Sequence, residues 1–390
     1  MQMIPLIRPD LPTLDDVAEP FREILASGRI TNFSRYVTEF EQEAGEYIGA
    51  NAVTVSSGTM GLVFAIQALG LEKGQKVILP SFTFTATAQA ALYAGGVPVF
   101  AECADDLTLE PSDLAQLLEH HEDVGGVIAT HVYGMPAQVH VLQAIVDAYA
   151  RRQGRPVFLM YDAAHAFGSA LDGCRVGSFG QAEVFSLSVT KTLVSVEGGL
   201  VTSRDPRLIQ RIKKMRNYGI EADYHTWWPG LNGKMSEFHA IIGLFNLRRL
   251  DDLLARRKRV AAYYYRQIGE RTAFELLPWP ESVGHTFKDF TVLVPEAYAE
   301  QRATVMMFLR EQGIETRSYF HPPLHEQKLF KPYVDRPLPR TSSLTRRVIT
   351  LPFYTSITES EIDYVVDALA RYERGTPRYA ELGMHRASVL

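Results

Sequence analysis

The chain has 390 residues, of which 46% are hydrophobic and 22% charged, and 40 basic side chains stand against 45 acidic ones. This length and apolar content exclude a single small domain and a disordered chain, and they predict two domains or one large domain with an appendage. The formal net charge of −5 argues against a nucleic-acid partner.

Over the first half of the chain, short apolar runs alternate with amphipathic segments, a pattern typical of a parallel sheet with helices on both faces. The runs are bounded by Gly, Asp or Ser, as buried parallel strands tend to be. In chain order, the predicted strands are residues 52–55, 76–79, 98–100, 126–130, 156–161, 182–186 and 199–202. The first two helices between them are predicted at residues 60–69 and 86–94.

After Arg204 the pattern becomes that of an α+β unit. We therefore predict a large α/β domain over residues 1–245, whose residues 1–28 can pack on a small α+β domain over residues 246–390. Residues 373–390 lack a firm period and are expected to form a frayed tail. The elements predicted in this part are helices at 206–216, 237–265, 299–312 and 359–372 and a strand at 289–294.

Cysteine content and hydropathy indicate the cellular compartment in which the protein is expected. Cys103 and Cys174 are too few for a disulfide framework and lack the spacing of a zinc site, so we expect a reducing environment and no metal. Pro5, Pro9 and Asp10 interrupt any signal-peptide core, and no apolar run approaches the roughly eighteen residues of a membrane span. A soluble, cytoplasmic protein without a membrane partner is the resulting expectation.

Small polar residues follow the first predicted strand. Ser57, Gly58 and Thr59 lie where that strand ends and a helix begins. Free backbone N–H groups and the positive end of the helix dipole converge at such a point and bind anions. Ser and Thr are also common N-cap residues, so an ordinary helix cap is the simpler explanation for this segment on its own.

Two ionisable residues follow later strands of the predicted sheet. Asp162 comes directly after the strand at 156–161, at the edge where open α/β sheets bind ligands. A buried carboxylate there favours a cation such as a protonated pyridine nitrogen, although a loop-capping Asp is equally common. Lys191 follows the strand at 182–186, and a desolvated lysine can form a Schiff base with an aldehyde. A solvated surface charge is the usual alternative for a single lysine.

Two loops add an aromatic and an amide side chain. Phe84 lies between a strand and a helix, where its ring can stack on a flat ligand, although a core position is more common for Phe. Asn232 lies in a glycine-containing loop before the long predicted helix, for which Ser236 is a suitable N-cap. Taken alone, this loop indicates only a turn.

In this order along the chain, these elements resemble the fold-type I aminotransferases that use pyridoxal phosphate, and more closely the DegT/DnrJ/StrS family of nucleotide-sugar aminotransferases. The resemblance covers nearly the whole chain, from Gly28-Arg29-Ile30-Thr31-Asn32 to Leu351-Pro352. It implies a large domain with a mostly parallel seven-stranded sheet flanked by helices, and a smaller α+β carboxyl-terminal domain. The motifs that carry it are Ser57-Gly58-Thr59, Pro80-Ser81-Phe82-Thr83-Phe84, Asp162-Ala163-Ala164-His165, Ser186 with Lys191, Glu197-Gly198-Gly199 and the Asn232 loop.

The resemblance also implies roles for the residues that match. Lys191 would form the Schiff base with the cofactor and then move the proton between the cofactor and the sugar carbon. Asp162 would pair with the pyridinium nitrogen, His165 would contact the phenolic oxygen or the ring edge, and Phe84 would stack on the ring.

The phosphate of the cofactor would be held by the segment before the helix at 60–69, by the end of the strand at 182–186 and by a partner subunit. Its ligands would be Ser57, Gly58, Thr59 and Ser186, together with Asn232 of a second copy, which implies a homodimer with composite active sites. The residues implied to approach the sugar nucleotide are Thr31, Tyr319, His321 and His325.

Two positions depart from the family pattern. At Ser188 many members have His, and after Asn232 the common form has Tyr and Arg where this chain has Gly233 and Lys234. Both departures concern the sugar pocket and leave the cofactor chemistry intact. The implied reaction transfers the amino group of L-glutamate, through pyridoxamine phosphate, to the keto carbon of a nucleotide-linked keto-deoxysugar, with C4 of dTDP-4-keto-6-deoxyglucose as the first candidate.

Other functions remain open at this point. Amination at C3, or of a UDP- or GDP-linked sugar, fits the same motifs. A deoxysugar dehydratase of this fold would have His in place of Lys191, and a non-catalytic regulatory homologue would not require both Asp162 and Lys191. A nicotinamide-dependent dehydrogenase would carry Gly-x-Gly-x-x-Gly after the first strand, and this chain does not.

Overall fold

The structure is a computed structural model that describes residues 3–221 and 224–386. In chain order its strands are β1 (Asn51–Val55), β2 (Lys76–Pro80), β3 (Val97–Ala101), β4 (Val124–Thr130), β5 (Phe158–Asp162), β6 (Ala170–Leu171), β7 (Cys174–Arg175), β8 (Ala182–Ser186), β9 (Gly199–Ser203), β10 (Glu275–Leu276), β11 (Val283–Gly284), β12 (Phe290–Leu293) and β13 (Val348–Leu351). Its α-helices are α1 (Leu14–Ser27), α2 (Arg35–Ile48), α3 (Gly58–Ala68), α4 (Thr85–Tyr93), α5 (Pro111–His120), α6 (Val139–Gln153), α7 (Pro206–Met215), α8 (Glu237–Arg248), α9 (Leu250–Arg271), α10 (Arg302–Glu311), α11 (Pro339–Thr345) and α12 (Glu359–Arg386).

Seven strands form the central sheet, in the order β1-β9-β8-β5-β4-β2-β3. β9 runs antiparallel to both of its neighbours, β1 and β8, and the other neighbouring pairs are parallel. The α/β fold class with a large, mostly parallel seven-stranded sheet, predicted from the sequence, is therefore confirmed. Because parallel strands end at the same edge, the segments that follow β2, β4, β5 and β8 meet there.

Helices cover both faces of this sheet. On one face the apolar helix α3 buries Phe64 completely, and Met160 of β5 belongs to the same core. On the other face α6 buries Leu142, in one core with Leu159 of β5. A strand that is buried on both faces needs a continuous apolar run, which is why β5 could be recognised in the sequence.

A second, antiparallel sheet lies in the carboxyl-terminal part of the chain, in the order β10-β12-β13. Helices α9, α10 and α12 share one apolar core with it, in which Val292 and Leu351 are fully buried. The amino-terminal segment joins this part of the molecule, because Ile4 forms a parallel bridge with Ile314.

The helices after residue 236 differ from the sequence prediction in two ways. The single helix predicted over 237–265 is wrong, because α8 and α9 meet at Arg249, whose φ of −112° and ψ of 10° leave the helical region. The side chain of Asn246 fixes this junction by donating to the Val194 carbonyl at 2.8 Å. The frayed tail predicted over 373–390 is also wrong as far as Arg386, where α12 ends, and the last four positions lie outside the described residues.

Within the described ranges, no helix is long and apolar enough to cross a membrane. The same ranges contain no group of three His, Cys, Asp or Glu side chains that could hold a metal ion.

A buried ion network fixes α2 against β1. Glu41 accepts hydrogen bonds from the N–H and the hydroxyl of Thr54, at 3.0 and 2.9 Å, and from the Arg216 guanidinium. The carbonyl of Arg216 accepts from the Gly233 N–H at 2.9 Å, and the Gly233 carbonyl accepts from the Ser56 N–H at 2.7 Å. The network therefore positions both the segment that follows β1 and the loop around Gly233.

Replacing Glu41 with Gln should destabilise the protein by about 3 kcal/mol, because the buried Arg216 charge then loses its carboxylate. Glu43→Gln is the matched control, since Glu43 lies on the same helix and its ion pair with Arg248 is largely exposed, so its loss should amount to less than about 1 kcal/mol. Urea unfolding of the two variants measures the difference. Equal losses would show that the buried network contributes no more than a surface pair.

Candidate active site

A cavity of about 380 Å³ lies at the carboxyl edge of the central sheet. Thr130 at the end of β4, Asp162 at the end of β5 and Ser186 at the end of β8 line it, as do the first residues of α3. The carboxyl-terminal part of the chain contributes Lys288 and Phe320. The residues predicted from the sequence that line this cavity are Ser57, Gly58, Thr59, Phe84, Asp162, His165, Ser186, Lys191 and Tyr319.

Asp162 is a buried carboxylate in this cavity. Its Oδ2 accepts a hydrogen bond from Thr87 Oγ1 at 2.7 Å, and its Oδ1 accepts from the Ala164 N–H at 3.1 Å. Thr87 is held in turn by Thr83, whose hydroxyl oxygen lies 2.9 Å from that of Thr87. Burial raises the pKa of Asp162, while the two donors and the charge of Lys191 oppose the rise. A cation placed against this carboxylate would keep it ionised.

His165 is held in one tautomer. Its Nδ1 accepts the N–H of Tyr133 at 3.2 Å, which leaves the ring proton on Nε2. Burial, with a smaller contribution from the ammonium groups of Lys191 and Lys288, lowers the pKa of His165 well below its usual value. The imidazole is therefore neutral, and its Nε2–H can donate one hydrogen bond into the cavity.

Lys191 lies in the turn after β8 and is partly buried at the cavity wall. Its backbone N–H donates to the Ser188 carbonyl at 2.9 Å, which fixes the turn. Burial, together with the nearby ammonium of Lys288, lowers the pKa of Lys191 to about 8, although Asp289, Asp162 and Glu197 oppose the shift. An amine with this pKa is partly unprotonated near neutral pH, so it can act as a nucleophile and as a base.

The start of α3 offers backbone donors for an anion. Ser57 caps the helix, since its Oγ accepts the Met60 N–H at 3.1 Å. The N–H groups of Gly58 and Thr59 have no hydrogen-bond acceptor in the part of the chain that the structure describes. A Cβ at Gly58 would lie 3.0 Å from the Ser186 Cβ, so glycine lets the helix start approach β8 closely. These features are those of a phosphate site at a helix N-terminus.

Aromatic side chains line part of the cavity. Phe84 precedes α4 and is 57% exposed, and its ring centroid lies 6.1 Å from that of Phe320. Phe320 also stacks near His165, at 5.9 Å between centroids. A flat ligand can therefore be enclosed between aromatic groups and the sheet edge.

Other cavity residues received no role from the sequence. Lys288 and its neighbour Asp289 directly precede the fully buried strand β12, and both are buried. Two adjacent opposite charges before an apolar strand are the only local signal that would have marked them. The others that line the cavity are Leu62, Thr83, Ala86, Thr130, Ala164, Val184, Ser188, Thr190, Glu197 and Phe320.

Four of the sequence-predicted residues do not line this cavity, namely Thr31, Asn232, His321 and His325. Asn232 is exposed. Both ring nitrogens of His325 are engaged, with Ser81 Oγ 2.6 Å from Nδ1 and Ser342 Oγ 2.9 Å from Nε2. The Nδ1 of His321, by contrast, is buried without a hydrogen-bond partner among the described residues.

The residues of the cavity fit pyridoxal phosphate. Among the residues that the structure describes, the buried Asp162 has no ion-pair partner and the first two N–H donors of α3 have no acceptor, and the amine of Lys191 has a depressed pKa. When bound, this cofactor supplies an electrophilic carbon and a ring that accepts electrons. Asp162, Lys191 and the helix start present the three groups that its ring nitrogen, aldehyde and phosphate require.

Comparison with known proteins agrees with this chemistry. A GDP-perosamine synthase from Caulobacter vibrioides is 30% identical over 376 residues, covering 95% of this chain and 99% of that protein. A dTDP-4-amino-4,6-dideoxy-D-glucose transaminase from Escherichia coli is 27% identical over 362 residues, covering 91% and 95%. The structure of DesI, solved in the presence of its TDP-sugar product, matches with a TM-score of 0.88 at 32% identity, covering 97% of this chain and 96% of DesI.

The match to a protein family extends over most of the chain. Residues 14–370 match the DegT/DnrJ/EryC1/StrS aminotransferase family, and this range contains every residue of the cavity. The chain therefore belongs to the DegT/DnrJ/EryC1/StrS aminotransferases, and it is a pyridoxal-phosphate-dependent transaminase.

Proposed function

We propose that this enzyme transfers the amino group of L-glutamate to the keto carbon of a nucleotide-linked keto-deoxysugar. The observation that carries the proposal is the convergence of Lys191 and Asp162 in one cavity beside the free N–H groups of α3. A base, a carboxylate for a pyridinium nitrogen and a phosphate site are the three protein functions that transamination requires.

The cavity residues that match the family pattern would have the following tasks. The carboxylate of Asp162 would keep the ring nitrogen protonated, and Lys191 would carry a proton between the reacting carbons. The Nε2–H of His165 would be the donor for the phenolic oxygen. Phe84 would cover the ring face, and the phosphate would be held by Ser57, Gly58, Thr59 and Ser186.

For the acceptor we propose a dTDP-linked 4-keto-6-deoxysugar aminated at C4. The names of the Escherichia coli transaminase and of the DesI complex support a dTDP sugar, and the first of them supports C4. The GDP-perosamine synthase supports the GDP-linked alternative. We assign the sugar contact to Tyr319, which lines the cavity, and to His321 on the same segment, whose buried Nδ1 has no hydrogen-bond partner among the described residues. We assign no substrate contact to Thr31, which does not line the cavity, or to His325, because both ring nitrogens of His325 are hydrogen-bonded.

We also propose a homodimer in which Asn232 reaches the phosphate of the partner's cofactor. Asn232 is exposed and outside the cavity of its own chain. The surface around it is apolar for an exposed loop, with Tyr224 89%, Trp227 65% and Leu231 51% exposed. Exposed aromatic groups of this size favour burial against a second subunit.

The first test is the half-reaction with the amino donor. The purified protein with pyridoxal phosphate should show the visible absorption band of a lysine-bound cofactor, and L-glutamate should convert it to the band of pyridoxamine phosphate. dTDP- and GDP-linked 4-keto-6-deoxysugars are then compared as acceptors that restore the first band. A stable visible band that glutamate leaves unchanged would contradict the proposed donor.

Lys191→Ala should lower transamination by at least about 10⁴-fold, because it removes both the covalent link to the cofactor and the proton carrier. Borohydride should fix the cofactor to the wild-type chain and not to this variant, as measured by intact mass. The exposed Lys73 provides the control variant Lys73→Ala, which should be fixed like the wild type. A fixed adduct on the Lys191→Ala chain would assign the Schiff base to another lysine.

The composite site predicts complementation between two inactive variants. In a hybrid dimer of Lys191→Ala and Asn232→Ala chains, one site carries both defects and the other carries neither. Equal mixing should therefore restore about a quarter of the wild-type activity, since half of the dimers are hybrids with one intact site. If Asn232 instead serves the site of its own chain, a mixture whose hybrid dimers are verified by mass should be no more active than the mean of the two parent variants.

A further inference from the structure

The cavity contains a second ammonium group, that of Lys288. Its Nζ lies 2.8 and 3.0 Å from the two carboxylate oxygens of Asp289. Lys288 lines the cavity and Asp289 does not, so the cation faces the cavity and its counter-charge stands behind it. Two N–H groups of the ammonium are directed to Asp289, and the third has no hydrogen-bond acceptor among the described residues, although Nζ also lies 5.2 Å from the centroid of the Tyr319 ring.

The backbone holds this lysine in a fixed position. Its N–H donates to the Tyr133 carbonyl at 2.8 Å, and its carbonyl accepts from the Arg257 guanidinium at 3.1 Å. The side chains of Lys288 and Asp289 are 4% and 1% exposed. A buried ion pair of this kind is rarely more stable than well-packed apolar residues of the same size, so the stability of the fold does not explain it.

Lys288 is close to the reacting groups. Its charge is the second-largest influence, after burial, on the pKa of Lys191, and it also acts on the pKa of His165. The cationic side chains among the described cavity residues are Lys191 and Lys288. Because Lys191 is committed to the cofactor, Lys288 is the cation that remains for a substrate.

The covalent structures of the two substrates indicate which of them carries the anion that Lys288 would bind. In an amino-acid donor, the α-carboxylate is one bond from the carbon that reacts. In a nucleotide sugar, the diphosphate is several bonds from the keto carbon, beyond the far side of the ring. An anion that contacts a group beside Lys191 is therefore the carboxylate of the donor.

We propose that Lys288, held in place by Asp289, binds the α-carboxylate of the amino donor. This inference rests on the proposed function and names the group that selects its first substrate. The third N–H of the ammonium donates to the carboxylate. In the second half-reaction an uncharged sugar ring replaces the donor. The carboxylate of Asp289 then balances the charge of Lys288.

The test measures donor binding to the holoenzyme by the absorbance change of the cofactor. Lys288→Gln should raise the apparent Kd of L-glutamate about 10- to 100-fold, the loss expected for one charged hydrogen bond, and Lys288→Arg should recover most of it. The KM of the keto-sugar nucleotide should change less than about threefold. A raised sugar KM with an unchanged glutamate Kd would overturn the proposal and assign Lys288 to the sugar.

A comparison of donors tests the wild-type enzyme, so it does not depend on how the variant folds. L-Isoglutamine lacks the α-carboxylate charge and should bind at least about tenfold more weakly than L-glutamine, which lacks only the distal one. In Lys288→Gln this preference should disappear, which a purely structural role would not produce. Equal binding of the two amides to the wild type would overturn the proposal.

Failure of this inference differs from failure of the proposed function. Conversion by glutamate with no preference between the two amides removes only the role of Lys288. If no donor among the three converts the wild-type cofactor, both the proposed donor and the role of Lys288 are overturned.

Discussion

The desolvated carboxylate of Asp162 is the interaction on which the arrangement of the site depends. β5 is apolar on both faces and ends in a charge, and the surrounding sheet excludes the water that would stabilise it. Hydroxyl donors from Thr87 and, behind it, Thr83 offset part of this cost. The carboxylate still requires a cation to stay ionised, which suits it to the protonated ring nitrogen with which we propose that it pairs. The helix start of α3 and the turn that carries Lys191 line the same cavity.

The two lysines of the cavity, Lys191 and Lys288, have different electrostatic surroundings. Burial, together with the nearby ammonium of Lys288, lets Lys191 lose its proton more easily than a free lysine. Lys288 is also buried, but it forms an ion pair with the carboxylate of Asp289. In the proposed reaction one lysine serves as a nucleophile and the other as a cation for the substrate, and the difference comes from their surroundings and not from their residue type.

The sequence predicts the parts of the site that follow strands of the central sheet. Asp162 could be found because a continuous apolar run before it marks the edge where it lies, and Lys191 because it follows the predicted strand at 182–186. Lys288 could not, because it is brought to the same cavity by packing of the second sheet, and no periodicity records that contact. The helix break at Arg249 was missed for a similar reason, since the residues on both sides keep helical periodicity and the bend is fixed by a contact of Asn246 with Val194.

The carboxyl-terminal part of the chain returns to the part with the central sheet more than once. β11 pairs with β6, and Leu324, Phe330 and Leu338 lie in the same apolar core as α3. The stretch between these two contacts contains Lys288, Tyr319 and Phe320. The side of the cavity that these residues form is therefore anchored at both of its ends to the part of the molecule that carries Asp162.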